Sequence, residues 1–260
     1  MRDLFLAVLL ALPLAAHAGM KAKERIPSPK KAAASPVALG SELAVYAAST
    51  APITLDLIFA RFSEVDARMK SLKADFRQSV HLDGSDTTQS VEGEVLFQKP
   101  DLMRLTQRLP EKQTVVSDGT WLWVYRESTN QVIQTRLEAW RKSEPLAKGL
   151  LDFGRSADLL KRYSAVISTV SSPGPDGHRT FAVTLTPRPE DRKGADGDFE
   201  LTLKASTRDF FPGDAGLRVG HASIRSLFEG VRLNPELPAE SFRFSPPPGA
   251  DIFTTPSPKP

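Results

Sequence analysis

The fold class is decided by Val-Val-Ser-Asp-Gly-Thr-Trp-Leu-Trp-Val-Tyr, at residues 115–125. Asp-Gly between apolar β-formers predicts a β-hairpin, with its tight turn at residues 117–120. Alternation then separates aromatic from aliphatic side chains, with Trp121, Trp123 and Tyr125 on one face and Leu122 and Val124 on the other. Because both faces are apolar enough to need cover, we place the hairpin centrally in a sheet.

Short segments of period two continue on both sides of this hairpin, joined by polar turns. Strands are predicted at 72–82, 90–99, 102–109, 113–116, 121–126, 131–137, 165–170, 181–186, 199–206, 218–227, 228–233 and 242–244. Residues 213–216, Gly-Asp-Ala-Gly, are read as a turn. The pattern indicates an antiparallel meander. A long antiparallel sheet curls by its own twist, so it acquires a concave face.

Two segments have the period of helices instead. Residues 53–70 are predicted to form a helix with one apolar stripe, built by Ile58, Phe62, Val65, Met69 and Leu72. Residues 140–163 hold an apolar patch made of Leu146, Leu150, Leu151 and Phe153, followed by a short helix that Ser156 is expected to cap. Pro145 and Gly149 disfavour a regular helix in the patch. These helices are the available covers for the concave face.

Composition limits the compartment and the chemistry. The chain has 260 residues, 21 prolines, a net charge of +3 and no cysteine. A disulfide framework, thiolate metal sites, a cysteine nucleophile and a lipid-modified N-terminal cysteine are therefore excluded. Residues 1–18 have the charged start, apolar run and small-residue end of a cleaved secretory signal, and the apolar run is shorter than a membrane span. We expect an exported, soluble protein.

The predicted domain organisation follows from changes in composition along the chain. Residues 19–52 form a basic, proline-rich stretch without periodicity and are predicted to be a disordered linker. Attraction of this linker to an anionic membrane surface is a second interpretation. Residues 53–253 form the folded domain, and residues 254–260 are predicted to be a disordered tail.

No pattern of catalysis is present in the sequence. His81, His178 and His221 each stand alone, without a partner at metal-ligand spacing. A nucleophile elbow, a phosphate loop and a dinucleotide fingerprint are all missing. The aromatic stripe could stack on bases, but no basic residues interleave with it. The sequence therefore favours binding over catalysis, with no cofactor, no metal and no nucleic acid.

The predicted binding site is the concave face with its helical covers. The expected lining residues are Phe62, Phe76, Val95, Phe97, Met103, Leu105, Val115 and Trp123, with Leu146, Leu150 and Leu151 from the lid patch. Apolar stripes are more often packed core than ligand cavity. A dry core between helix and sheet is therefore the alternative.

Four motifs, in this order, resemble the outer-membrane lipoprotein carrier family LolA. They are Leu-Lys-Ala-Asp-Phe-Arg-Gln at 72–78, Gly-Glu-Val-Leu-Phe-Gln-Lys-Pro at 93–100, Val-Ser-Asp-Gly at 116–119 with Leu122-Trp123, and Phe-Ser-Pro-Pro-Pro-Gly at 244–249. The resemblance covers about residues 54–253. It implies an incomplete β-barrel closed by helices around an apolar cavity for acyl chains.

The resemblance also implies partners and a latch. A monomer would take a lipoprotein from an inner-membrane ABC transporter and pass it to an outer-membrane receptor. Lys99 stands where the family usually has an arginine that holds the lid, and lysine lacks the planar fork of arginine. Met103 stands at an aromatic position of the cavity mouth and keeps its apolar character.

Two other functions remain open on the sequence. One is a carrier for a different lipid, such as a glycolipid or a pigment. The other is a signalling module of the same fold that senses lipoproteins, although the regulator of this type has an additional C-terminal domain for which this chain has no room.

Overall fold

A computed structural model of the chain describes residues 52–143, 153–190 and 198–255. The predicted signal at 1–18 and all but the last residue of the predicted linker at 19–52 lie outside these ranges. Within the ranges, none of the helices has the length and apolar character that crossing a membrane requires.

The described residues form one sheet of twelve strands. The strands are β1 (Ser71–Leu82), β2 (Thr88–Gln98), β3 (Leu102–Leu109), β4 (Gln113–Asp118), β5 (Trp121–Arg126), β6 (Gln131–Arg136), β7 (Ser164–Val170), β8 (Thr180–Thr186), β9 (Phe199–Ser206), β10 (Asp214–Val219), β11 (Ala222–Leu233) and β12 (Asp251–Thr254). Their order is β12-β6-β5-β4-β3-β2-β1-β11-β10-β9-β8-β7. All neighbours are antiparallel except β12 and β6, which run parallel. The first and last strands of this order, β12 and β7, are not paired with each other, so the described sheet is open. The predicted incomplete barrel is therefore confirmed.

The hairpin of β4 and β5 forms as its sequence predicts. Asp118 Oδ1 accepts hydrogen bonds from the backbone N–H groups of Thr120 and Trp121, both at 2.8 Å. Gly119 takes a φ of +90°, a conformation that side chains other than glycine rarely adopt. The hairpin lies inside the sheet, but β5 is only the third strand from the β12 edge, so its predicted central position is wrong.

Near the C-terminus, four predictions need correction. Residues 213–216 do not form a separate turn, because β10 starts at Asp214. The two strands expected at 218–233 are the end of β10 and one continuous β11, with the turn at Gly220 and His221. Phe242 ends a 3₁₀ turn (Ala239–Phe242) instead of starting a strand. The predicted disordered tail begins too early, since Thr254 pairs with Gln134 as the last residue of β12.

Three α-helices are described: α1 (Leu55–Arg68), α2 (Leu137–Ser143) and α3 (Ser156–Arg162). Thr54 caps α1, because its Oγ1 accepts a hydrogen bond from Leu57 N at 3.2 Å. Ser156 is the first residue of α3 and not its cap as expected; the cap position is Arg155, which makes no side-chain capping bond.

The concave face of the sheet is the core of the molecule. Inward positions alternate along β1, β2 and β3, and on α1 the side chains of Ile58 and Phe62 are fully buried. The Phe62 ring lies 6.3 Å from that of Phe181 on β8, so α1 also packs against the β7–β9 half of the sheet. Ile58 and Phe62 of the predicted apolar stripe are therefore confirmed on the buried face of this helix. Val65 is only half-buried, and Met69 and Leu72, though buried, follow the end of the helix.

Candidate functional site

Strand register brings most of the predicted site residues onto one buried face. Val95, Leu105 and Val115 pair across β2, β3 and β4, and Phe97 pairs with Met103 in the next row. Seven predicted residues belong to the same buried cluster: Phe62, Phe76, Val95, Phe97, Met103, Leu105 and Val115. The six on the sheet form an apolar surface that shares this buried cluster with Phe62 of α1. Their role in binding a lipid stays a prediction.

Trp123 does not belong to this surface, so its predicted place there is wrong. The register of β4 and β5 pairs Val115 with Val124 and Val116 with Trp123. Side chains alternate along a strand, so Val124 is on the concave face and Trp123 is on the convex one. There its ring packs 6.1 Å from the ring of Phe244, which belongs to the C-terminal segment.

The lid patch is described only at its end. Leu146, Leu150 and Leu151 lie outside the described residues. Phe153 follows them, and its ring lies between the rings of Phe97 at 5.7 Å and Phe228 at 5.3 Å. The chain thus returns from the patch directly onto the concave face, beside a predicted lining residue.

Lys99 makes a polar contact with the covering helix. Its Nζ donates a hydrogen bond to the backbone oxygen of Asp66, near the end of α1. Its side chain also passes Gly154, where a Cβ would lie 2.8 Å from Lys99 Cε and 2.6 Å from Met69 Cε. Lysine can supply this single bond without the fork of arginine. Among the described residues, Lys99 therefore ties the end of β2 to α1.

Asp66 was missed as a functional residue, because it does not belong to the apolar stripe predicted for this helix. It is 9% exposed, and its Oδ2 accepts a hydrogen bond from Ala157 N at 2.8 Å. Burial raises the pKa of this carboxyl, while hydrogen bonds from the backbones of Ala157 and Ser156 and the charge of Lys99 oppose the rise. The signal was present: Asp66 follows Ile58 and Phe62 at the same spacing of four residues.

Asp101 is a second carboxylate that the sequence did not single out. Its Oδ1 lies 2.6 Å from the guanidinium of Arg141 on α2 and 3.7 Å from that of Arg155, just before α3. Asp101 belongs to the turn between β2 and β3, as Lys99 does. This turn therefore contacts all three helices through one lysine and one aspartate.

A cavity of about 420 Å³ lies on the other half of the sheet, where β11 runs beyond the start of β10. Its apolar lining is Ala205, Phe211, Phe228, Val231 and Leu233. This volume is within the range of small-molecule pockets, roughly 300–1,000 Å³. None of the predicted lining residues contributes to it. The sequence could not locate it, since it depends on how far two neighbouring strands extend.

The site has no features of a metal centre. In the described part of the chain, no group of three or more His, Cys, Asp or Glu side chains could hold a metal ion. The site consists of an apolar concave face, a covering helix and isolated polar contacts with that helix. These features define an open half-barrel with the character of a binding protein.

Comparison with known proteins gives the family. The family model of the outer membrane lipoprotein carrier protein LolA matches residues 67–206, which is more than half of the 260 residues. The chain belongs to this family. An outer-membrane lipoprotein carrier protein of Nitrosospira multiformis is 28% identical over 188 residues, covering 71% of this chain and 83% of the relative. One of Pseudomonas fluorescens is 30% identical over 208 residues, covering 75% and 87%.

A solved structure is also similar, at a lower sequence identity. The LolA superfamily protein from Nitrosomonas europaea is 14% identical, with a TM-score of 0.42, and the match covers 74% of this chain and 99% of that one.

Proposed function

We propose that this chain carries lipoproteins through the periplasm and shelters their acyl chains on the concave face under α1. It receives the cargo from an inner-membrane ABC transporter and delivers it to an outer-membrane receptor. Membership of the lipoprotein carrier family, together with the continuous apolar face of Val95, Leu105 and Val115, supports this proposal. Export by the signal at residues 1–18 and the basic linker at 19–52 are part of it.

The energetics explain why such a carrier is needed. Each CH₂ group exposed to water costs about 0.8 kcal/mol, so one chain of about 16 carbons costs roughly 12 kcal/mol. A lipoprotein with several chains cannot leave a membrane at a useful rate without an apolar shelter. Burial alone supplies the binding energy, and catalysis is not required.

The cover must also open, because cargo enters and leaves. Among the described residues, the polar contacts of α1 with other segments include three at its C-terminal end. Lys99 donates to the backbone of Asp66, Asn234 donates to the backbone of Arg68 at 3.1 Å, and the Asp66 carboxylate accepts from Ala157. The lid patch, with Leu146, Leu150 and Leu151, completes the shelter in this proposal. Contacts grouped at one end allow the helix to move away from the sheet about that end.

The test is uptake of a fluorescent acyl probe by the purified protein. Leu105→Glu places a carboxylate on the apolar face, and an unpaired buried charge costs several kcal/mol, so we expect uptake to fall by more than about a hundredfold. Val115→Thr keeps the side-chain shape, adds one hydroxyl to the same face and should weaken uptake by roughly tenfold. Circular dichroism shows whether each variant is folded.

Leu109→Glu is the matched control, because Leu109 is on the same strand and 53% exposed. It should bind the probe as the wild type does. Uptake that survives in folded Leu105→Glu and Val115→Thr contradicts the proposal. Extraction of the protein from the periplasm, followed by mass spectrometry, then identifies the cargo as lipoprotein or as another lipid.

A further inference from the structure

The concave face carries a group of buried glutamines at one end, which the apolar cluster does not explain. Gln78 on β1 and Gln107 on β3 occupy inward positions and are only 6% and 7% exposed. In the described part of the chain, the amide oxygens of both side chains are buried without a hydrogen-bond partner. Gln89 on β2, half-buried, has a buried amide oxygen in the same condition.

These amides are held in place by their nitrogens. Gln78 Nε2 donates to Ser226 Oγ at 3.0 Å, and Gln107 Nε2 donates to the backbone oxygen of Glu111 at 3.0 Å. Each side chain is thus fixed while its oxygen stays free to accept. A buried acceptor without a partner costs roughly 1–3 kcal/mol, so such a group calls for an explanation.

The two glutamines flank one aromatic ring. Gln107 pairs with Gly93 on β2, and Gly93 pairs with Phe76 on β1, two residues before Gln78. A Cβ on Gly93 would lie 2.5 Å from Phe76 Cε1, so the ring covers the glycine between the two strands. Two strand spacings across the sheet and two residues along β1 separate Gln78 from Gln107, about 12 Å in all.

Gln107 adjoins the apolar surface of the proposed site, and Gln78 is one inward position further away, beyond Phe76. Val95, Leu105 and Val115 form the inward row next to Gln107 on β2, β3 and β4, and Phe97 and Met103 belong to the row after it. Gln107 is held against the turn that follows β3 by its bond to Glu111. A ligand with a long hydrocarbon chain and a polar head could therefore lie with its chain on the apolar rows and its head at the glutamines.

We infer that Gln78 and Gln107 bind the hydrogen-bond donors at the head of an acylated ligand, above all the N–H of an amide-linked acyl chain. This inference rests on the proposed function and adds a preference for amide-linked over ester-linked chains. A donor from the ligand satisfies an oxygen that is already oriented, so little ordering is needed on binding. An ester offers an acceptor at the same place and leaves the oxygen unpaired.

The experiment uses two probes that differ at one atom. N-palmitoylethanolamine carries an N–H where ethylene glycol monopalmitate carries an ester oxygen. Each displaces a fluorescent fatty acid from the protein purified from the periplasm. We expect the amide to bind about tenfold more tightly than the ester, the ratio that corresponds to one satisfied acceptor. In Gln78→Met/Gln107→Met the ratio should fall to about one, with the ester affinity unchanged within about twofold.

Stability separates this role from a structural one. Methionine has nearly the volume of glutamine. It removes the unpaired oxygen, which costs about 1–3 kcal/mol, and also the hydrogen bond from Nε2, which contributes about 0.5–1.5 kcal/mol. Because the two effects oppose each other, the double variant should unfold within a few degrees of the wild type. Glutamines that only support the fold would destabilise the protein when replaced. The two single variants show which oxygen receives the N–H. Gln98→Met, the same change on the opposite face of β2, should keep the tenfold ratio.

Each remaining outcome is decisive. A wild-type ratio near one, with both probes bound, overturns this inference and leaves the proposed carrier function intact. A tenfold ratio that persists in the double variant shows that other groups recognise the amide. Binding of neither probe counts against both proposals.

Discussion

Asp66→Ala removes the carboxylate that joins α1 to the start of α3. The carboxylate accepts a hydrogen bond from Ala157 N at 2.8 Å and another from the backbone of Ser156. Arg155, at the cap position of α3, makes no side-chain capping bond. Asp66 is therefore the N-terminal cap of α3, supplied by a different helix.

The expected cost follows from these contacts. Loss of a capping side chain typically destabilises by about 0.5–2 kcal/mol, and a buried N–H left without a partner costs about 1–3 kcal/mol. Ala157 is buried, so water does not readily replace the carboxylate. We expect the free energy of unfolding to fall by about 2 kcal/mol. For a domain of this size the Tm should fall by roughly 4–8 °C.

Urea and thermal unfolding, followed by circular dichroism, measure this loss. Asp56→Ala is the control, because Asp56 is an exposed acid in the first turn of α1, where the helix dipole adds less than about 1 kcal/mol. Amide hydrogen exchange should accelerate at Ser156 and Ala157 in Asp66→Ala only. Equal losses of Tm in the two variants, with unchanged exchange at α3, would refute the capping role.

Three further predictions concern pH, the tie to the helix and a glycine. Burial raises the pKa of Asp66 above 3.8, so the folded protein holds this proton more tightly than the unfolded chain. The difference in the free energy of unfolding between the wild type and Asp66→Asn should therefore fall as pH rises through the raised pKa. Urea titrations in which this difference stays constant or rises with pH contradict the prediction. Lys99→Ala should speed exchange of a bound acyl probe by up to about tenfold in stopped-flow measurements, since a bond from a charged donor is lost. Lys73→Ala breaks an ion pair on the convex face and should leave the exchange rate of the probe unchanged. Equal exchange rates in the two variants would show that Lys99 does not hold the helix and is only a surface residue. Gly93→Ala puts a Cβ 2.3 Å from a backbone oxygen of β3, so the free energy of unfolding in urea should fall by about 1–3 kcal/mol. Gly216→Ala has free space around its Cβ and should leave the stability unchanged. Equal stabilities of the two variants would show that the backbone at Gly93 shifts to accept the Cβ.

Local patterns predicted the elements that depend on local physics. The four-three spacing that includes Ile58 and Phe62 predicted α1, because an apolar stripe at that period fits only a helix lying on a surface. Alternation also placed Val95 and Leu105 on one face. These patterns involve neighbours along the chain, so a sequence shows them directly.

Trp123 shows where this reasoning stops. Alternation within β5 correctly separated Trp123 from Leu122 and Val124, but it could not tell which set faces Val115. That choice depends on the register across the turn, and a shift of one residue exchanges the two faces of a strand. The short connection between β4 and β5 decided it.

The polar contacts of the site were beyond the sequence for a related reason. Asp66 meets Ala157 across 91 residues, and Asp101 meets Arg141 across 40. Gln78 and Gln107 interrupt their inward rows, which is a visible signal, yet the lack of a partner for their oxygens follows only from the folded neighbourhood.

The sequence alone determined that the chain forms an antiparallel sheet with an apolar face and a helix to cover it, because side-chain periodicity is local and the hydrophobic effect acts on whole faces. The tertiary structure decided which aromatic residues face inward, which acids hold the helices and which amides stay unpaired. Those outcomes depend on strand register and on contacts between distant segments, which exist only when the entire chain is folded.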